Sequence, residues 1–113
     1  MKINKMMLLL LCLLILTACS GGQYVNGKHI GSAYGVRGVI MMEVGVEQGY
    51  VSSLVIKESY DDRTAVQESY RLLRDELIKE QTVDFLSVNP NYPVTSQAEI
   101  DAIRDALKQA TSE

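Results

Sequence analysis

The fold is decided by residues 39–56, VIMMEVGVEQGYVSSLVI, in which two apolar stretches flank a short polar turn. The turn is Glu47-Gln48-Gly49, and Gly49 can adopt the positive φ that a tight link between strands often requires. Two strand-like runs joined by a short loop that contains glycine predict an antiparallel hairpin.

Both arms of this hairpin show the two-residue period of a β-strand. The first arm runs from Arg37 to Val46, with Met42 and Val44 on one face and Glu43 on the other. The second arm runs from Tyr50 to Ile56. Strict alternation there predicts that Val51 and Leu54 lie on opposite faces of the sheet. Upstream, residues 21–38 are rich in glycine and favour short extended pieces joined by turns.

Two amphipathic helices are predicted after the hairpin. The first opens after Asp61-Asp62, where Thr64 and Gln67 have the spacing of a capping box. Its apolar stripe comprises Val66, Tyr70, Leu73, Leu77 and Ile78. Residues 82–88 are expected to return to an extended form, and residues 89–93, NPNYP, to make a polar loop.

The second helix is predicted to begin at another capping box, formed by Ser96 and Glu99. A stripe of apolar residues that should be buried follows along the helix. That stripe comprises Ile100, Ile103, Leu107 and Ala110. Strands followed by two helices in so short a chain predict an α+β fold, with a small antiparallel sheet and two amphipathic helices packed on it.

The amino terminus has the order of a secretory signal peptide. Residues 1–18 contain two lysines, an apolar run over residues 6–16, and then small residues. That run is about half the length of a membrane-spanning helix, which needs about 20 residues. It ends in Leu16-Thr17-Ala18-Cys19, which resembles the lipobox of bacterial lipoproteins.

The lipobox resemblance implies that residues 1–18 are removed and that Cys19 receives a diacylglycerol and further acyl chains such as palmitate. Residues 19–22 would then form a flexible, lipid-anchored linker before a domain at 23–113. Several acyl chains on one residue give stable anchoring without a spanning helix. The expected location is a bacterial membrane, on the side away from the cytoplasm.

Composition narrows the chemistry of the mature domain. Without the two leader lysines, 9 basic and 14 acidic residues remain, a net charge of −5, which argues against a nucleic-acid partner. Cys12 lies in the leader and Cys19 is the expected lipid attachment site, so no thiol remains for a disulfide or a metal site. His29 is the one histidine. No nucleophile–base pair can be assembled from these residues, so the sequence does not identify an enzyme.

Three segments carry a resemblance to a known family. Residues 23–35, QYVNGKHIGSAYG, form a tyrosine- and glycine-rich opening, residues 83–87 read VDFLS, and residues 95–98, TSQA, lead into the last helix. In this order, and with the hairpin between them, they resemble the FMN-binding domain family over residues 24–108. Its members include flavin-carrying subunits of sodium-pumping NADH:quinone reductases and small lipoproteins.

The resemblance implies a flavin site near the last helix, and the chain departs from the family there. The family continues its Val-Asp-x-x-Ser motif with Gly-Ala-Thr, whereas this chain has Val88-Asn89-Pro90. In members with covalent FMN the threonine bears the flavin phosphate, and Pro90 has no hydroxyl. The expectation is therefore non-covalent FMN. Its phosphate would be contacted by Ser87, Asn89, Thr95 and Ser96 and by the positive end of the helix.

Two functions are compatible with the sequence. In the first, the protein is a membrane-tethered flavoprotein domain that serves extracytoplasmic electron transfer with a redox partner protein, the flavin supplying the redox chemistry. In the second, it is a degenerate family member that binds no flavin and acts as a surface binding or assembly module. The sequence predicts no metal site for either.

Overall fold

The computed structural model describes residues 22–111, which form one three-stranded sheet and two long helices. The strands are β1 (Gly27–Tyr34), β2 (Val39–Glu47) and β3 (Tyr50–Ser59). The helices are α1 (Arg63–Glu80), a 3₁₀ turn (Val83–Phe85) and α2 (Pro93–Gln109). The predicted α+β class is confirmed.

The sheet is antiparallel throughout, in the order β1-β2-β3, so β2 is its central strand. The predicted hairpin is β2–β3. Its two-residue turn has φ values of 54° at Gln48 and 82° at Gly49, and this pair of positive values matches the right-handed twist of the flanking strands.

A β-bulge in β3 interrupts the strict alternation that the sequence predicts for this strand. Val46 pairs with Val51, whereas Gly45 pairs with Ser53, so Ser52 is an extra residue on the β3 side. The extra residue shifts the alternation by one position. Val51 and Leu54 therefore both face the core, each 2% exposed, and the prediction that they lie on opposite faces is wrong.

The core lies between the sheet and the helices. The inward face of β2 supplies Ile40, Met42, Val44 and Val46, each at most 3% exposed. The helix α2 packs on β1 and β2, α1 packs on β3, and the two helices contact each other. The predicted stripe of α2 is buried in full: Ile100, Ile103, Leu107 and Ala110. In the stripe of α1, Val66, Leu73 and Leu77 are buried, but Tyr70 is half-buried and Ile78 is 37% exposed.

Both helices begin earlier than their predicted capping boxes. The N-cap of α1 is Asp62, whose side chain accepts a hydrogen bond from the amide of Ala65, and Thr64 lies inside the first turn. The helix α2 begins at Pro93, which suits the first helical position because its missing N–H would have no partner there. Ser96 consequently lies inside α2 and does not cap it.

The connection between the helices also differs from the predicted extended form. Residues Val83–Phe85 make a 3₁₀ turn, because the Thr82 hydroxyl accepts a hydrogen bond from the Asp84 amide and closes the chain locally. Leu86 follows in an extended conformation.

The adjacent leucines Leu72 and Leu73 test the assignment of the buried helix face. Leu73 is 1% exposed and Leu72 is 62% exposed. Leu73→Ala should lower the free energy of unfolding by about 2–5 kcal/mol, as should Leu107→Ala on α2. Leu72→Ala should change it by less than about 0.5 kcal/mol. Urea unfolding of the three variants measures this, and equal effects at Leu72 and Leu73 would contradict the orientation of α1.

Candidate functional site

A cleft of about 420 Å³ lies at the end of the domain where the β1–β2 loop and the starts of both helices meet. Its volume is in the range of small-molecule sites. The residues that line it are Val36, Arg37, Asp62, Ala65, Asn91, Tyr92, Pro93, Val94 and Thr95. We call the surface formed by these residues the cleft.

Asp61 joins the segments that surround the cleft. Its carboxylate accepts hydrogen bonds from the amides of Val36 (2.9 Å) and Arg37 (2.7 Å) in the β1–β2 loop, and from Thr95 Oγ1 (2.7 Å) on α2. The carboxylate lies so close to Gly35 that a Cβ at this position would overlap it. The side chain of Asp61 thus packs into a space that glycine leaves open.

The pKa of Asp61 reflects two opposing effects. Burial to 8% exposure on its own would raise the pKa of the carboxyl group. The hydrogen bonds from Thr95, Arg37 and Val36, together with the positive charge of Arg37, outweigh burial and lower the pKa below its usual value. Asp61 is therefore ionised at neutral pH.

Glu99 lies one helical turn after Thr95 on α2 and is completely buried. Neither of its carboxyl oxygens has a hydrogen-bond partner within residues 22–111. Burial raises the pKa of Glu99 to about 8, and the negative charge of Asp61 contributes in the same direction. At neutral pH Glu99 is thus mainly in its neutral form, near the ionised Asp61.

The first turn of α2 has backbone amides without partners. Tyr92 at the N-cap position makes no side-chain capping bond. The amide of Ser96 bonds to the Tyr92 carbonyl (3.0 Å), but those of Val94 and Thr95 donate no hydrogen bond to any residue in the described range. Both residues line the cleft. Free amides and the positive end of a helix favour an anion at such a position.

Of the four residues predicted to contact a phosphate, Thr95 lines the cleft, and its hydroxyl donates to Asp61. Ser96 is fully buried, and its Oγ donates to the Tyr92 carbonyl (2.8 Å) and accepts from the Asn89 amide (2.9 Å). The Asn89 side chain accepts from the Asn91 amide (2.9 Å). These bonds bring Asn89 and Ser96 together as supports of the loop before α2, outside the cleft lining.

Ser87 is not among the residues that line the cleft. It is exposed, and its amide approaches Glu76 Oε1 on α1 at 3.5 Å. The predicted pairing of Ser96 with Glu99 in a capping box is wrong, since Ser96 bonds to the preceding loop and Glu99 points into the core.

Sequence reasoning missed the roles of Asp61 and Glu99. In the sequence, Asp61 is one of the two acidic residues at which the first helix opens, and its hydrogen-bond partners in the fold are 24 to 34 residues away. Glu99 does carry a local signal, because it precedes Ile103 by four residues and Leu107 by eight and so lies on the buried face of α2. An acidic residue on an apolar stripe indicates a buried carboxyl group.

Cys19 lies outside the described residues. Within residues 22–111, no helix has the length and apolarity that crossing a membrane requires. The same range contains no cluster of three or more His, Cys, Asp or Glu side chains suited to a metal ion. No protein-family model matches the chain, and a search of the curated proteins gives no significant match.

The pKa of Glu99 predicts how stability changes with pH. The unfolded chain releases this proton near pH 4.5 and the folded domain near pH 8. Between these values the folded state binds more protons than the unfolded state, so the free energy of unfolding falls as pH rises. The total loss should not exceed about 5 kcal/mol.

Urea unfolding from about pH 5 to about pH 8 measures this loss in the wild type and in two variants. Glu99→Gln should flatten the dependence, whereas Asp101→Asn, at an exposed position of the same helix, should retain it. A wild-type stability that does not fall over this range would show that Glu99 ionises normally in the fold.

Proposed function

We propose that the protein is a lipid-anchored extracytoplasmic domain that binds FMN non-covalently in the cleft and takes part in electron transfer with a redox partner protein. The observation that carries the flavin proposal is the start of α2. Val94 and Thr95, whose amides have no partner within residues 22–111, line a cleft of ligand size at the helix where the family resemblance expects the phosphate.

Arg37 supports the same assignment by its charge. It lines the cleft from the β1–β2 loop and is the one basic residue of that lining. A guanidinium group and two backbone amides are suitable partners for a phosphate, because charge-assisted hydrogen bonds are stronger than neutral ones. The rest of the lining is largely apolar, with Val36, Tyr92 and Val94 available to a flat aromatic ring.

Covalent attachment is not part of this proposal. Pro90, which takes the place of the phosphate-bearing threonine, lies in the turn before α2 and is outside the cleft lining. Thr95 does carry a hydroxyl at the cleft, but it is 4% exposed and donates to Asp61. FMN should therefore leave the protein on denaturation.

A second candidate function, a lipoprotein that binds no flavin, is favoured by the acidic residues of the site. Asp62 lines the cleft and the ionised Asp61 lies beside it. Two carboxylates oppose a phosphate by like-charge repulsion. In this alternative the domain keeps the fold and acts as a surface binding or assembly module.

Flavin binding can be tested by titrating the purified domain with FMN and with riboflavin while recording flavin fluorescence. If the start of α2 holds the phosphate, FMN should bind at least about tenfold more tightly than riboflavin, which lacks it. Arg37→Gln should remove most of this difference. Arg104→Gln, at an exposed position of α2 that pairs with Asp101, should not.

The remaining outcomes of this titration separate the two functions. Flavin fluorescence that stays with the polypeptide after denaturation, together with a mass increase on Thr95 equal to FMN, would overturn the proposal that binding is non-covalent. Binding of neither flavin would overturn FMN binding altogether and leave the non-flavin lipoprotein.

The anchor proposal has its own test at Cys19. Mass spectrometry of the mature protein should show a chain that begins at Cys19 and carries acyl chains, because Leu16-Thr17-Ala18-Cys19 has the form of a lipobox. Cys19→Ala should release the protein from membranes or leave residues 1–18 attached. An unmodified Cys19 in the wild-type protein would rule the anchor out, whatever the flavin titration shows.

A further inference from the structure

The strands and helices of the domain all run between the same two ends. The strand β1 runs from Gly27 toward the cleft, β2 runs in the opposite direction, and β3 runs toward the cleft again. Both α1 and α2 begin at the cleft and run back. The cleft therefore occupies one end of the domain, and the β2–β3 turn with the carboxyl ends of both helices occupies the other.

The amino-terminal segment is attached to the second of these ends. The amide of Gly22 bonds to the Gln48 carbonyl (2.9 Å), and that of Tyr24 bonds to the Gly49 carbonyl (3.1 Å). The Tyr24 hydroxyl donates to the carbonyl of Gln81, just after α1 (3.0 Å). We call this end, with residues 22–25, 47–50 and 81–85 and the carboxyl end of α2, the anchor end.

Cys19 cannot lie far from the anchor end. It precedes Gly22 by three residues in the sequence, and three peptide units span at most about 11 Å. Acyl chains on Cys19 would therefore keep the anchor end within that distance of the lipid headgroups.

The side chains of the anchor end suit a bilayer surface. Val25 is 43% exposed, Tyr50 47% and Phe85 64%, and all three belong to segments of this end. Tyrosine and other aromatic side chains favour the boundary between headgroups and hydrocarbon. The exposed charges at the same end are of both signs, with Lys108 against Glu47 and Asp84.

We propose that the domain stands on the membrane on its anchor end, with Tyr50 and Phe85 in the headgroup layer, and presents the cleft to the water on the far side. This orientation rests on the proposed acylation of Cys19. The helices α1 and α2 have 18 and 17 residues, so the cleft is about 25 Å from the bilayer surface. The cleft then exchanges its ligand or electrons with water-soluble molecules or with projecting proteins, beyond the reach of a molecule dissolved in the bilayer.

Depth-dependent quenching tests this orientation on the full acylated protein. Since Cys19 is the one cysteine after the leader and is blocked by acylation, a bimane label can be directed to Glu47→Cys at the anchor end or Asn91→Cys at the cleft. Both positions are exposed. The protein is placed in phosphatidylcholine vesicles that contain a headgroup nitroxide lipid.

Quenching at position 47 should be at least about threefold stronger than at position 91, because the length of the helices places position 91 about 25 Å further from the nitroxides. Equal quenching at positions 47 and 91 of the acylated protein would overturn the orientation and leave the lipoprotein proposal intact. A protein without acyl chains on Cys19, seen by mass spectrometry of the same sample, would overturn both.

The contribution of the aromatic residues is measured in the Glu47→Cys background. Tyr50→Ser combined with Phe85→Ser should reduce the quenching, because the anchor end then loses its contacts with the headgroup layer. Tyr34→Ser is the matched control, since Tyr34 is 84% exposed at the other end of β1. Equal quenching in the double variant and the control would show that these side chains do not hold the domain on the membrane.

Discussion

The cleft end of the domain depends on the hydrogen bonds of one carboxylate, that of Asp61. An ionised group at 8% exposure is costly unless it is well hydrogen-bonded. Asp61 meets this requirement with two amides of the β1–β2 loop and the hydroxyl of Thr95, and these partners lie 24 to 34 residues away in sequence. The need to satisfy one charge thus fixes the loop, the start of α1 and the start of α2 relative to one another.

The same carboxylate sets the electrostatics of the cleft. Its charge adds to the effect of burial in keeping Glu99 protonated, so the base of the site carries one negative charge rather than two. At the edge of the cleft, Arg37 and the free amides at the start of α2 are available to an anion, whereas the negative charge of Asp62 would repel it. The proposed phosphate would therefore lie on the Arg37 side of the start of α2. The charges of Asp61 and Asp62 would weaken the binding of a phosphate, and they favour the alternative role without a flavin.

The sequence predicts the structure best where a short pattern of apolar and turn residues determines it. The hairpin turn at Gln48-Gly49 and the buried stripe of α2 follow from patterns of a few residues. Prediction from the sequence failed where a distant or competing contact determines the local structure. The bulge at Ser52 breaks the alternation of β3, and Asp62 and Pro93 start the helices ahead of the predicted capping boxes. In the candidate site, the family resemblance points to Thr95, which lines the cleft, but the pairing of Thr95 with Asp61 depends on long-range packing.

Amide hydrogen exchange of Val36 and Arg37 tests most directly whether Asp61 organises the cleft end. In the wild-type domain both amides should be protected, because they donate to the Asp61 carboxylate. In Asp61→Asn, which keeps the shape but loses one acceptor oxygen and the charge, protection should fall at these two amides and persist in the centre of β2. Unchanged protection at Val36 and Arg37 would contradict this account of the cleft.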